Sequence, residues 1–254
     1  HLPGATFNTG TTTVTYTVAD AGGNVSNPCS FTVTVTDNIA PTATCKPATI
    51  YLNGSGTATL AIIDVNDGST DNCTAQGSLV ITLSKTNFNC SNLGANTVVM
   101  TVRDASGNQS TCNATVTVFD NTPPVISATA GTVTSNVNAN SGVCYYTVNG
   151  NEYDPSVTDN CSGTVLSYSV TGATTLNGTG SLAGKQLSKG ANLITWSATD
   201  GSGNTVVVPL AFTKTVIDNQ PPSISSIGNQ NRNTNTGCGY TVSGSEFNPT
   251  YSDN

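Results

Sequence analysis

The stretch VVMTVRDASGNQSTCNATVTV, residues 98–118, decides the fold of this chain. Apolar residues hold every second position on both sides of DASGN at 104–108, and this alternation predicts two strands that each bury one face. A Gly-Asn pair between alternating strands is typical of a tight turn, because both residues tolerate positive φ. We therefore predict a β-hairpin whose turn contains Gly107 and Asn108.

This hairpin is part of an internal repeat. Three motifs, D-x-x-G-N, D-N-x-x-P and D-N, recur in the same order. The D-x-x-G-N motif begins at Asp20, Asp104 and Asp200. The D-N-x-x-P motif begins at Asp37, Asp120 and Asp218, and the D-N motif at Asp71, Asp159 and Asp253. The D-N-x-x-P motif returns after 83 and then 98 residues. Solenoid repeats have periods of only about 20–45 residues, so this spacing predicts a string of whole domains.

Alignment of the copies predicts which residues fill the core. Tyr16, Met100 and Trp196 occupy equivalent positions in the strand before the D-x-x-G-N turn, and we expect all three to be central core residues. The strand after the turn carries Val33 in the first copy, whereas the third copy has Lys214 at that position. This departure predicts a bulge or a local exposure at Lys214.

The D-N-x-x-P motif predicts the domain boundaries. Proline fixes φ and cannot donate a ladder hydrogen bond, so a short linker with one or two prolines should hold neighbouring domains in a fairly rigid file. Residues 38–120 and 121–218 are predicted to be complete repeats. Residues 1–37 are predicted to be the C-terminal part of a truncated repeat, and 219–254 the N-terminal part of another. We therefore expect the chain to be a window cut from a longer array.

Composition excludes several partners and predicts an all-β fold. Threonine accounts for 44 of the 254 residues, and charged residues for only 8%. Abundant threonine and valine favour strands over helices. With seven Lys and Arg residues and a net charge of −7, the chain is not expected to bind nucleic acid or to present a polybasic membrane patch. No segment approaches the ~20 apolar residues of a transmembrane helix, so we expect no membrane insertion.

Catalytic groups are scarce. The single histidine is His1, which leaves no internal imidazole for Ser–His–Asp or Cys–His catalysis or for His-ligated zinc. Glu152 with Asp154 or Asp159 could form the carboxylate pair of a glycosidase, but the Glu152 motif returns at Glu246, which favours a structural role in a turn. A cluster of tyrosines could stack on sugars, although such aromatics more often belong to the core. Its members are Tyr145, Tyr146, Tyr153 and Tyr168.

Eight cysteines in a Thr/Asn-rich β protein without a CxxC pair predict disulfides and an oxidising, extracellular setting. The third repeat lacks counterparts of both Cys45 and Cys112, and this joint loss predicts that the two are bonded to each other. The remaining pairs are then Cys73–Cys90 and Cys144–Cys161, although other pairings within the second repeat stay open. Two cysteines, Cys29 and Cys238, are expected to be unpaired by truncation, with partners before residue 1 and at position 255.

The acidic residues favour turns over metal binding. Nine of the fourteen lie in the three motifs. They could bind calcium through oxygen ligands, or they could cap turns through bonds to the backbone. We favour capping, because each motif offers one carboxylate whereas calcium needs about six to eight oxygens. The best local calcium candidates are Asp64, Asn66, Asp67 and Asp71, a set without the closing Glu of a calcium loop. No cofactor is predicted, with calcium as the open hypothesis.

Several stretches resemble the hyalin-repeat (HYR) family across nearly the whole chain. They are GTTTVTYTVADAGGN at 10–24, CSFTVTVTDN at 29–38 and TDNC at 158–161. The resemblance implies tandem immunoglobulin/fibronectin-III-like β-sandwich domains and extracellular adhesion. The second repeat, with TATC at 42–45 and SKTNFNC at 84–90, is similar to the repeats of secreted surface adhesins of Bacteroidota. The long 140–187 region of the third repeat departs from the commonest pattern.

These observations predict a non-catalytic structural or adhesive segment of a large extracellular repeat protein: a stalk, surface adhesin or filament at the cell surface. The expected partners are other repeats of the same chain, surface glycans or neighbouring filament chains. Two alternatives remain open, a module that binds a polysaccharide or another ligand, and an accessory region of a secreted enzyme.

Overall fold

The computed structural model describes residues 4–235 and 237–253, so His1 and Asn254 lie outside the described residues. The fold is all-β, built of tandem immunoglobulin-like β-sandwich domains as predicted. The chain divides into two compact units, residues 1–121 and residues 122–254. No helix among the described residues is long and apolar enough to cross a membrane.

The first unit contains eight strands within its described part. They are β1 (Gly10–Tyr16), β2 (Cys29–Val35), β3 (Ala48–Tyr51), β4 (Thr57–Thr59), β5 (Val80–Leu83), β6 (Asn87–Asn89), β7 (Gly94–Arg103) and β8 (Gln109–Phe119). A short helix, α1 (Ile62–Val65), and the 3-10 turns Gln76–Ser78 and Cys90–Asn92 lie between them. The main sheet has the order β3-β8-β7-β5, and the small sheet pairs β4 with β6.

The predicted hairpin is the centre of this unit. Strands β7 and β8 pair antiparallel over their whole length, with Met100 opposite Cys112. The alternation places Val98, Met100 and Val102 at complete burial, as the period of two requires. Gly107 adopts a φ of 97° in the turn, a conformation that only glycine adopts without strain. Strand β3 pairs parallel with β8 and forms one edge of the sheet.

The first repeat is described as the single hairpin of β1 and β2. Tyr16 was predicted to be a central core residue like Met100, but its side chain is 49% exposed. The reason is geometric: within the described residues no second sheet covers the face of this hairpin that carries Tyr16. Its ring instead stacks against Phe31 of the neighbouring strand.

The second unit contains the remaining strands of the described residues. They are β9 (Val125–Ser127), β10 (Ser135–Asn138), β11 (Tyr145–Thr147), β12 (Ser156–Thr158), β13 (Val165–Gly172), β14 (Leu176–Thr179), β15 (Gln186–Ser188), β16 (Gly190–Thr199), β17 (Leu210–Ile217), β18 (Ser223–Ile224) and β19 (Tyr251–Ser252). The main sheet has the order β10-β17-β16-β13-β14, with smaller pairs β11-β15, β12-β9 and β18-β19. As in the first unit, the edge strand of the main sheet is parallel to its neighbour: β10 pairs with β17, the last strand of the repeat.

Trp196 is fully buried in this core, as its alignment with Met100 predicts, and its ring contacts Tyr168 edge-on. The expectation at Lys214 was wrong. Strand β17 is continuous there, with Lys214 paired opposite Asn192, and the lysine is only 3% exposed. Aromatic rings accommodate the charge: the Lys214 Nζ lies 4.7 Å from the ring centre of Tyr153 and 5.6 Å from that of Phe212. It also donates a hydrogen bond to Ser135 Oγ at 2.7 Å.

One disulfide joins Cys45 to Cys112 in the first unit, with 5.9 Å between their Cα atoms. The predicted Cys73–Cys90 pair is wrong, because Cys73 is an exposed free thiol. Cys73 lies beside the turn that follows β7, because the adjacent Thr74 accepts a hydrogen bond at its Oγ1 from Ala105 N in that turn. Cys90, in contrast, comes just before the first residue of β7, at the opposite end of the strand. A ten-residue strand is about 30 Å long, far beyond the ~7 Å between Cα atoms that a disulfide spans.

The predicted Cys144–Cys161 pair is wrong for the same reason. Cys144 accepts a backbone hydrogen bond from Lys189, just before β16. Cys161 follows the Asp159 turn and lies near the other end of β16. The neighbouring Gly163 shows this, because a Cβ at Gly163 would lie 3.8 Å from the Cα of Gly201, just after that strand. The full ten residues of β16 separate the two cysteines, so no bridge can form between them.

Candidate functional site

The D-x-x-G-N motif forms the same turn in all three copies. The aspartate Oδ1 accepts from the backbone N–H of the asparagine, and the aspartate Oδ2 accepts from the asparagine Nδ2. These bonds measure 2.9 and 2.9 Å at Asp20, 2.8 and 2.7 Å at Asp104, and 2.8 and 2.7 Å at Asp200. The hydrogen bonds from Asn24 hold the pKa of Asp20 below its ordinary value. Turn capping is therefore the local role of this motif.

In the second repeat this turn also holds the preceding junction. Asn108 Nδ2 donates to the backbone oxygen of Asp37 at 3.1 Å and lies 3.4 Å from that of Ile39. Asp37 caps its own turn, since its Oδ1 accepts from the Ile39 N–H at 3.1 Å. The first and second motifs therefore meet in space, although Asp37 and Asn108 are 71 residues apart in sequence.

The D-N motif completes the same site. Asp71 Oδ2 accepts from the backbone N–H groups of Cys73 and Thr74, at 3.0 and 2.7 Å. The bond from Thr74 is the main reason that the pKa of Asp71 is lowered. One carboxylate oxygen each from Asp37, Asp71 and Asp104 lies within 4.8 Å of the others. We call these three residues the junction carboxylates.

The junction carboxylates leave oxygens without partners. Asp37 Oδ2 and Asp71 Oδ1 are both buried and have no hydrogen-bond partner. Asp37 is 7% exposed and Asp104 is 4% exposed. Partial desolvation and the negative charges of the three residues raise the pKa of the nearby Cys73 thiol. The three carboxylates therefore concentrate negative charge at one place, and the capping hydrogen bonds leave two of their oxygens without a partner.

The calcium candidates chosen from the sequence do not come together as a set. Asp64 Oδ2 accepts from Ala61 N at 2.8 Å and so caps the short helix α1. Asn66 Oδ1 accepts from the backbone and the hydroxyl of Ser69, and Asp67 is exposed. Asp71 alone among the four belongs to a carboxylate group that could hold a metal ion in the described part of the chain.

Sequence reasoning missed the junction carboxylates because it weighed each motif separately. Every motif offers one acidic side chain, and no motif alone has the oxygens that a cation needs. The available signal was that all three motifs recur together and in the same order. Such joint recurrence indicates residues that act at one place in the fold.

The carboxylate pair considered for glycoside hydrolysis has structural partners instead. Glu152 Oε1 accepts from the Tyr146 hydroxyl at 2.8 Å and from Asn149 N at 2.6 Å. Asp154 Oδ1 accepts from Leu182 N, and Asp159 Oδ2 accepts from Cys161 N. Burial, followed by the bond to Glu152, raises the pKa of Tyr146.

The same Tyr–Glu contact returns in the fourth repeat. The Tyr240 hydroxyl donates to Glu246 at 2.6 Å, and Ser243 N donates to Glu246 Oε1 at 2.9 Å. These bonds lower the pKa of Glu246 and raise that of Tyr240. The recurrence supports a structural role for Glu152 and Glu246.

The tyrosines considered as a sugar-stacking surface do not form one. Tyr153 and Tyr168 are 3% and 6% exposed and belong to the core of the second unit. Tyr146 is half-buried and packs against Tyr153, with 6.2 Å between ring centres. Since stacking on a sugar requires an accessible ring face, these side chains act mainly as core residues.

Comparisons with known proteins agree with the repeat pattern. Residues 1–35 match the family model of the HYR domain. Hyalin from Strongylocentrotus purpuratus is 32% identical over 235 residues, which cover 89% of this chain and 18% of hyalin. Hyalin from Lytechinus variegatus is 30% identical over 232 residues, which cover 89% of this chain and 40% of that protein. These findings support the HYR relationship, and the chain spans less than half the length of either relative.

A solved structure of protocadherin gamma B2 extracellular cadherin domains 1–5 is similar at 14% identity and a TM-score of 0.40, over 84% of this chain and 47% of that one.

Proposed function

We propose that this chain is a segment of a large extracellular repeat protein in which it serves as a stiff, non-catalytic adhesive stalk. The observation that carries the proposal is the threefold recurrence of the Asp–Asn turn with the same hydrogen bonds at Asp20, Asp104 and Asp200. A chain that repeats the same turn once in each domain-sized repeat is suited to setting length and spacing. Similarity to two hyalins, of which the chain covers 18% and 40%, supports a longer parent.

Stiffness between repeats is supported by contacts at two junctions. In the first unit, Asn108 binds the Asp37 carbonyl. In the second unit, Gln220 of the D-N-x-x-P motif donates to Asn140 O at 3.0 Å and accepts from Gly142 N at 2.8 Å. Short linkers with proline restrict motion further. We propose on this basis that residues 1–37, 38–120, 121–218 and 219–254 form consecutive repeats, with little freedom at the junctions after residues 37 and 218.

The surface suits weak and repeated contacts. Charged residues make up 8% of the chain, and exposed threonines pair across strands, as Thr11 and Thr34 do at 3.2 Å. Hydroxyl and amide groups on many repeats can each make weak hydrogen bonds to another surface, and multivalency then makes the attachment strong. We propose glycans or neighbouring chains as that surface. The form of parent we favour, a Bacteroidota surface adhesin, rests on the sequence pattern of the second repeat alone.

Force spectroscopy of single molecules tests the stalk role. The Cys45–Cys112 bridge has a sequence separation of 67 residues, which at about 3.6 Å per residue corresponds to a length of ~240 Å. We expect one unfolding event to lengthen by about this amount after reduction. A chain that extends fully at low force without discrete unfolding events would contradict a load-bearing role.

A bead assay tests adhesion. Beads coated with the folded chain should aggregate, or be retained under flow on a polysaccharide-coated surface, more than beads coated with the reduced and alkylated chain. Retention should rise steeply with coating density, because multivalency depends on the number of simultaneous contacts. Equal behaviour of the two coatings would contradict adhesion. Tight binding of one glycan by the monomeric chain would instead favour a dedicated binding module.

A further inference from the structure

The junction carboxylates come from three separate elements of the first unit. Asp37 follows β2, Asp71 lies in the turn after α1, and Asp104 follows β7. One oxygen of each lies within 4.8 Å of the others. We propose that Asp37, Asp71 and Asp104 bind one calcium ion where the first repeat meets the second. No other described residue belongs to this group of acidic, histidine and cysteine ligand atoms.

The unsatisfied oxygens are the main argument. Asp37 is more than nine-tenths buried, and its Oδ2 has no hydrogen-bond partner. Asp71 is a half-buried residue, but its Oδ1 atom is buried and likewise has no hydrogen-bond partner. Burial of an unpaired carboxylate oxygen is costly, and a cation in contact with both oxygens would remove that cost.

No ion pair among the described residues includes a junction carboxylate. The ion pairs found among the described residues are Lys189–Asp218 and Arg232–Glu246, and neither involves a junction carboxylate. Asp104 contributes a third negative charge while both of its oxygens accept hydrogen bonds from Asn108. Three carboxylates close together and outside any ion pair favour a divalent ion over a monovalent one.

The ligand chemistry favours calcium among divalent ions. Calcium prefers oxygen ligands at about 2.3–2.6 Å, so oxygens on opposite sides of the ion are about 4.6–5.2 Å apart. Three oxygens within 4.8 Å of one another can lie around an ion of this size. Magnesium requires about 2.0–2.1 Å and a tighter octahedron. Softer metals would recruit the neighbouring thiol, but Cys73 Sγ is not in the group.

Capping and metal binding do not compete at Asp37 and Asp71. Asp37 and Asp71 each use one oxygen to cap a turn, and the oxygen that remains is the one without a partner. The capping bonds therefore orient the carboxylates in advance. A bound ion would join three elements from two repeats and add to the stiffness that the Asn108–Asp37 contact provides.

Calcium titration of the full chain tests the site directly. After treatment with EDTA and dialysis, calorimetry with CaCl₂ should show that the wild-type chain binds one ion more than Asp71→Asn and Asp37→Asn. Asp20→Asn is the matched control, because Asp20 occupies the same turn motif as Asp104 but is exposed and belongs to no carboxylate group. It should bind as many ions as the wild type.

A stability measurement keeps the test valid if a variant folds poorly. Saturating CaCl₂ should raise the melting temperature of the wild-type chain by about 5 °C or more, and MgCl₂ at the same concentration should raise it less. Equal calcium binding by wild type, Asp37→Asn and Asp71→Asn, or a melting temperature of the wild type that calcium leaves unchanged, would overturn the proposal. Neither readout involves adhesion, so the stalk role stands or fails separately.

Discussion

Asn108 donates a hydrogen bond from Nδ2 to the backbone oxygen of Asp37 at 3.1 Å, across 71 residues of sequence. The same Nδ2 donates to Asp104 Oδ2 at 2.7 Å. One amide group therefore closes the turn of the β7–β8 hairpin and holds the end of the preceding repeat. In the second repeat this bond therefore links the D-x-x-G-N motif to the preceding D-N-x-x-P motif.

Replacement of Asn108 should loosen the junction. Asn108→Ala removes the bond to Asp37 as well as the turn bond, and a net loss of about 1 kcal/mol for the junction contact corresponds to roughly fivefold faster local opening. Amide hydrogen exchange of residues 37–41 measures this opening. Asn24→Ala is the control, since Asn24 makes the equivalent turn bond to Asp20. Equal exchange at residues 37–41 in both variants would show that the contact does not secure the junction.

The Cys45–Cys112 bridge should account for much of the stability of the second repeat. For a separation of 67 residues, the chain-entropy model gives about 4 kcal/mol. We expect the double variant Cys45→Ala/Cys112→Ala to lose about this much free energy of unfolding in urea. Cys29→Ser, at an exposed free thiol, should change it by less than about 0.5 kcal/mol. A loss below about 1 kcal/mol in the double variant would contradict the expectation.

The buried charge of Lys214 should cost stability near neutral pH. Burial lowers the pKa of Lys214, so the unfolded chain holds this proton to higher pH than the folded chain does. The cost is therefore present below the folded pKa and disappears as the pH rises through that value towards 10.5, the ordinary value. Lys214→Met should stabilise the second unit by about 1 kcal/mol at pH 7.

The pH dependence separates this effect from packing. The gain from Lys214→Met, measured by urea unfolding against the wild type, should shrink between pH 7 and pH 10. Lys185→Met, at an exposed lysine, should show no gain at either pH. A gain that stays constant with pH would mean that side-chain shape and not charge determines the difference.

Gly131 is predicted to tolerate no side chain. A Cβ at this position would lie 1.6 Å from the backbone oxygen of Glu152, so the backbone would have to move. Gly131→Ala should lower the free energy of unfolding of the second unit by about 3 kcal/mol. Gly201→Ala is the control, because its Cβ would meet its nearest neighbour, Ser162 O, at an ordinary 3.6 Å. Equal stability of the two variants in a thermal melt would contradict the prediction.

The hairpin and the all-β fold were predictable because they follow from local alternation. Val98, Met100 and Val102 are buried as their period of two requires. The failures have non-local causes. Tyr16 has the pattern of a core residue but no covering sheet among the described residues, and Lys214 is buried because rings from other strands surround its charge. The prediction of a Cys73–Cys90 bridge was wrong because the order of cysteines in the sequence does not show that a ten-residue strand separates them in the fold.

The sequence by itself determined that the chain folds as repeated β domains, because alternating side chains, turn glycines and recurring aspartates act over a few residues. It also determined the low charge and the concentration of nine of the fourteen acidic residues in the three repeated motifs. The tertiary structure alone decided what those acids do together. Asp37, Asp71 and Asp104 are far apart in the chain, and only the folded chain brings one oxygen of each within 4.8 Å of the others. The free energy of a charged group depends on its neighbours in space. A single motif in the sequence does not show which other motifs lie beside it in the fold.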